Sequence, residues 1–261
     1  MNSFLFNTPA ILICGLLFVL MIAFNRLGFY LLQSASKKDP NAAEGLGAVE
    51  GSLLGLLALL LSFTFSMSAS KSDTRRQIIV QEANDIGTAI LRCDLYPDSS
   101  RKQLKALFND YLTARIAYYQ AGIDETRLNQ TLQKSNEYSG RIWKLVTRLS
   151  QDKDNSLRSQ QMIPAVNAMI DMVTTRDSDR NAHVPESIYW LLFLLTLTGS
   201  FIMGYGSKGK RFNWIIVSGF ALMTVMTIYL ILDLDRPRRG IINMDLTHAK
   251  IAELKELLRQ E

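Results

Sequence analysis

The chain is poor in the residues that usually announce chemistry. Of 261 residues two are histidine and two are cysteine: His183 and His248 stand singly near segment ends, and Cys14 and Cys93 are far apart. They offer no metal-ligand spacing and no disulfide framework. There is no nucleophile–base pair and no phosphate loop. The expectation is therefore a protein that is not an enzyme, with no catalytic residue, no metal and no cofactor. Prolines number only six, so long stretches between them are free to be helical. Strand-like alternation is missing between Ser99 and Asp179, and that excludes a β-rich insert. Basic residues are scattered among acids, and a net charge of +5 does not point to nucleic acid as a partner. The opening MNSFLFNTPA has no positive n-region, and no small-residue cleavage site follows, which argues against a cleaved signal peptide.

What the chain has is hydrophobicity gathered into blocks. Hydrophobic residues make up 48% and charged residues 20%, the pattern of a membrane protein carrying a soluble insert. About 20 apolar residues cross a bilayer, and four stretches qualify: Ala10 to Leu32 after Pro9, Leu46 to Ser68, Ile188 to Tyr205 after Pro185, and Phe212 to Leu232. Arg26, near the end of the first, can snorkel to the headgroups. The predicted division is transmembrane helices 1 and 2 in 1–70, a soluble helical domain in 71–183, transmembrane helices 3 and 4 in 184–235, and an amphipathic tail in 236–261 that docks on the soluble bundle. The fold class is all-α: four transmembrane helices, with a helical-bundle insert between the second and third.

The organising stretch is Gly45 to Pro97, which reads as one long helix weakened only at Gly87. Small residues recur along its membrane half at Gly47, Gly51, Gly55, Ala58, Ser62, Ser66, and Ala69 or Ser70. Steps of three and four put them in one stripe, which is either a close helix–helix seam or a pore-facing surface. Glu50 reaches the interface or sits at a pore mouth. Beyond Lys71, Arg75 and Arg76, a seam of Ile79, Ala83, Ile86, Ile90 and Cys93 faces a core. Glu82, Asn84, Asp85 and Arg92 are pore-mouth or subunit-interface candidates on the other faces.

The insert reads as an antiparallel bundle. One helix covers about Ser100 to Gln120, where Arg115 among Tyr111, Tyr118 and Tyr119 can make a cation–π contact. Gly122 closes it, and Asp124 opens the next. A polar break, QDKDNS, precedes a further helix that Pro164 starts, and a charged turn, TTRDSDRNAH, returns to the membrane. At the end of the fourth span DLDRPRRG alternates acid and base. Asp233, Asp235, Arg236, Arg238 and Arg239 are read there as membrane-edge ion pairs or lipid contacts. Basic residues flank both sides, so charge bias does not orient the chain; unpaired Cys93 leans toward a cytosolic insert.

GAVEGSLLGLLALLLSFTFSMSASKSDTRRQIIVQEANDIGTAILRCDLYP, with its EAN-x-IGTA-x-LR pattern, and ILDLDRPRRGII resemble the signature blocks of the bacterial bestrophin-like membrane proteins. That family is itself distantly similar to the bestrophins. The resemblance implies a homo-oligomeric, pentameric ion channel whose second helix lines the pore, in a bacterial inner membrane with the helical domain in the cytosol. Its partners would be the lipid bilayer, copies of itself and small inorganic ions. Applied to this sequence, Ser62 and Ser66 of the small stripe face the axis or a neighbour. Leu54, Leu57, Leu61 and Phe65, on an adjacent face, form a hydrophobic constriction that gates by dewetting. The competing reading is a non-conducting membrane sensor or scaffold, binding a ligand or partner around Arg115, Tyr118 and Tyr119.

Overall fold

Helix propensity and sparse proline carry through to the folded chain. In a computed structural model that describes residues 5, 8–37, 46–180, 182–207, 212–236 and 244–259, the elements are α1 (Ala10–Ser36), α2 (Leu46–Arg92), α3 (Asp98–Gln120), α4 (Glu125–Ser150), α5 (Ser156–Arg180), α6 (Glu186–Tyr205), α7 (Trp214–Asp235) and α8 (Asp245–Leu257), with short 3₁₀ turns at Cys93–Leu95 and Lys153–Asn155. No strand occurs among the described residues. At 1.5 Å per residue, the 47 residues of α2 span about 70 Å, more than twice the hydrocarbon thickness.

The local signals are the expected ones. The Asp124 side chain accepts from the Arg127 N–H at 3.1 Å, Gly122 takes a left-handed φ of 58° behind α3, and Asn213 caps α7 by accepting from the Ile216 N–H. Two segments differ from the sequence reading. Pro164 lies inside α5, which starts eight residues earlier at Ser156. The charged stretch read as a turn stays helical to Arg180, because Arg176 finds a buried partner.

The chain divides into two units, 1–72 with 183–242, and 73–182 with 243–261. The first contains the four helices long and apolar enough to cross a membrane, α1, the first part of α2, α6 and α7. In it α1 packs against both α6 and α7, around Met21, Tyr189, Leu192, Ala221, Ile228 and Leu232. The second is a bundle in which α3 packs against α4 and α8, and α4 against α5. Its core joins Ile79, Ile86 and Ile90 of α2 to Leu104, Phe108, Ile142, Val146, Met162, Val166 and Ile251. Gly87 has its reason here: a Cβ would sit 3.2 Å from Leu254 of α8.

Helix backbones approach closely at two glycines, Gly28 and Gly204. A Cβ at Gly204 of α6 would overlap the Asn25 carbonyl of α1, and one at Gly28 would overlap the Phe201 carbonyl. Asn25 Nδ2 donates to the Ser200 carbonyl at 2.9 Å across the same seam. A buried amide thus finds its acceptor where two backbones meet.

Candidate functional site: the free face of α2 and the buried charges around it

Within its apolar segment α2 uses one face for packing. Leu57 is 3% exposed, Leu60 and Leu61 pack on the core of their unit, and Leu54 reaches within 4.0 Å of where Gly199 would carry a Cβ. Thr64 and Ser68 are buried on the same side, with the Thr64 hydroxyl donating to the Leu60 carbonyl. Leu57 is therefore corrected from pore constriction to intrachain packing, because its apolar area is already covered inside one chain; Leu54 and Leu61 beside it are half-buried. Phe65 stays 41% exposed.

The opposite pole is free in the single chain. Gly47, Gly51, Gly55, Ala58, Ser62 and Ser66 are all exposed, and nothing lies within 4 Å of a Cβ built on Gly47, Gly51 or Gly55. The stripe is not an intrachain seam. Leu56, Leu59 and Phe63 flank it and are each more than half exposed. Glu50 is half-buried, with Oε2 3.0 Å from the Cβ position of Gly206.

The extramembrane part of α2 repeats the division with different chemistry. Thr74, Gln77, Gln81, Asn84, Thr88 and Leu91 recur at steps of three and four and are all exposed. A solvated helix face normally carries charge; this one carries Asp73 at its start, accepting from the Gln77 amide at 3.3 Å, and none from Gln77 to Leu91. Asp85 is half-buried and accepts from the Gln81 amide at 2.9 Å. Arg92 donates to the Gln161 carbonyl of α5, so it is held inside its own domain and not offered to a neighbour.

Glu82 is the largest departure. Read as an interface residue, it is 0% exposed and lies at the centre of a charged knot in the helical domain. Arg115 Nε donates to its Oε1 at 2.6 Å, with Nη2 2.5 Å from the same oxygen. Arg176 pairs with Oε2, and the Tyr119 hydroxyl donates to Oε2 at 3.2 Å. Three ring faces complete the knot. The Arg115 guanidinium lies 4.8 Å from the Tyr118 ring centre, Arg176 lies 3.9 Å from that of Tyr119, and the His248 ring of α8 packs 3.8 Å from Tyr119. Burial by itself raises a carboxyl, but the two guanidinium groups outweigh it and hold Glu82 below its ordinary 4.5. Burial lowers Arg176 to about 10, Glu82 only partly opposing it; it remains charged at neutral pH. For Arg115 burial acts downward too, but Glu82 wins and the group is raised. Sequence reasoning found the Arg115–tyrosine cluster and missed its partners. Glu82 sits one step from Ile79 and Ile86 in the seam, the one available signal that it faces inward. Arg176 is distant in sequence and carried none.

The third cluster closes the end of α7. Asp235 is fully buried, accepts the Val184 N–H on both oxygens at 3.0 and 3.1 Å, and accepts the Tyr189 hydroxyl at 3.1 Å. His183 stands 3.9 Å away. Arg236 is buried and donates to the Thr8 carbonyl at 2.7 Å and to that of Leu5; Asp233 is buried as well. Of the two readings, ion pair or lipid contact, burial removes the lipid contact for all three; Asp235 and Arg236 spend their hydrogen bonds on backbone groups inside the chain instead. Arg238 and Arg239 lie outside the described residues.

Arg115 and Tyr118 are buried and turned onto Glu82 and onto each other, so they do not line an open ligand pocket. No group of three or more metal-binding side chains occurs among the described residues. Comparison with curated proteins and with solved structures returns no match. A family model, described as a bestrophin-like domain, matches residues 13–247, a range that takes in nearly all of the four apolar helices, the helical insert and the Glu82 knot apart from His248. The chain belongs to the bestrophin-like family of membrane proteins.

Proposed function

We propose that the chain assembles with copies of itself, as a pentamer, into a channel for small inorganic ions with α2 nearest the axis. The supporting observation is the free pole of α2, small in the membrane (Gly51, Gly55, Ser62, Ser66), uncharged from Gln77 onward (Gln77, Gln81, Asn84, Thr88), and exposed at each of these residues in one chain. Small side chains admit close neighbours or leave a lumen. Amides and hydroxyls supply hydrogen bonds to water or to a facing copy without fixing an ion by charge. Leu57 and Leu61 have no part in this pathway; Ser62 and Ser66 do, and Phe65 lies at its margin. Asn84 is the residue from the charged stretch best placed to meet a neighbour. The bilayer is the other partner, in a bacterial inner membrane with the helical domain in the cytosol, where an unpaired Cys93 is at home. No catalytic step and no nucleic acid enter this reading.

The test is the mass of the purified full chain in detergent, followed by ion flux after reconstitution into liposomes. A ring of identical subunits that conducts, with flux altered in Ser62→Leu and unchanged in Leu57→Ile, is the expected outcome. A monomer without conductance sinks the proposal, and a stable dimer without conductance favours a sensor or scaffold.

A further inference from the structure

The Glu82 knot is out of balance in charge and in hydrogen bonds. The groups in direct contact are one carboxylate and two guanidinium ions, a surplus of one positive charge among side chains that are at most 9% exposed. Burying such a surplus is costly unless something anionic answers it, and ring faces do so only in part. The donors are not all used either. Arg115 Nη1 and the Tyr111 hydroxyl are buried with no hydrogen-bond partner among the described residues. Tyr111 lies four residues before Arg115 on α3, so both side chains stand on one face of that helix, and each is no more than 1% exposed. Burial raises the Tyr111 phenol, which keeps it an O–H donor at any physiological pH.

Two orphaned donors beside an uncompensated cation want an acceptor that brings negative charge. A carboxylate would do, but Glu82 already has both oxygens engaged by Arg115, Arg176 and Tyr119. Water would satisfy the donors and leave the charge. We propose that the helical domain holds a small monovalent anion of the halide class between Arg115 Nη1 and the Tyr111 hydroxyl. The site belongs to each subunit by itself and is separate from the free pole of α2, since Glu82 projects from the buried side of that helix. Its ion is therefore a resident of the fold, exchanging only when the domain opens.

Bromide is the probe. The full chain in detergent is unfolded thermally after long equilibration in sodium bromide, replaced stepwise by sodium gluconate at constant ionic strength; crystals grown in bromide are read by anomalous scattering. The expected result is a midpoint that rises with bromide and saturates, and an anomalous peak within hydrogen-bond distance of Arg115. Tyr111→Phe keeps the ring, so the core still packs, and should need about tenfold or more bromide for the same rise, the loss expected for one hydrogen bond to a charged group. Identical curves in bromide and gluconate overturn the proposal. So does an equal bromide response in the parent chain and Tyr111→Phe, or a density at Arg115 that is water without anomalous signal.

Discussion

Glu82 shows how much one side chain can decide. Glu82→Gln keeps the shape and removes the charge that two buried arginines share, so it should destabilise the helical domain by about 3–5 kcal/mol, read as a drop in the thermal midpoint of the full chain. The pH dependence has a definite sign. The folded carboxyl is held below 4.5, so at acid pH the unfolded state binds the extra proton. The knot's contribution is complete above pH 4.5 and drains away as pH falls below it. Acid unfolding monitored by tyrosine fluorescence should therefore begin at higher pH in Arg176→Met, where one of the two groups holding the carboxyl down is gone. Cys93 makes the opposite kind of statement. Burial, helped by Asp94, pushes its thiol up to about 12, so a maleimide should label it only in denaturant.

Among the elements, α2 and the α1–α6 pair divide the glycines between two jobs. Gly28 and Gly204 are where helix backbones touch, and a methyl group added there collides with a carbonyl. Gly204→Ala should force α1 from α6 and destabilise the membrane unit by about 1–3 kcal/mol, seen as earlier unfolding in detergent. Gly51 and Gly55 face open space; alanine at either should leave the melting of a single chain unchanged and be felt, if anywhere, in assembly. Both pairs read alike in the sequence as small residues in apolar helices. Helical spacing says which residues share a face, but not which of several apolar faces a second helix will cover. The same gap explains the leucines: Leu54, Leu57 and Leu61 share a stripe legible from spacing, and only the packed unit shows Leu57 at its centre already covered.

At the scale of the whole molecule the free pole of α2 is the feature that one chain leaves unexplained. Asn84→Arg places a charge on a face that is neutral from Gln77 to Leu91, costs the isolated domain little, and in a symmetric ring brings like charges together. The expected outcome is an unchanged melt of the helical domain with a smaller particle by native mass measurement. A particle of unchanged mass would show that Asn84 is no contact between copies.

The sequence by itself determined the helical class, the four spans, the length of α2 and the split into an apolar block and a polar insert. These follow from local periodicity, chain length and the scarcity of proline, which act within a few turns of helix. Tertiary structure decided where the charges went. Glu82 meets Arg176 across 94 residues, and Arg236 reaches back to Leu5 across 231. Such a pair is worth its desolvation only when packing brings both ends to one place, and no local pattern records that. Whether a charged residue on an amphipathic helix faces water or a buried counter-charge is settled by its neighbours in space.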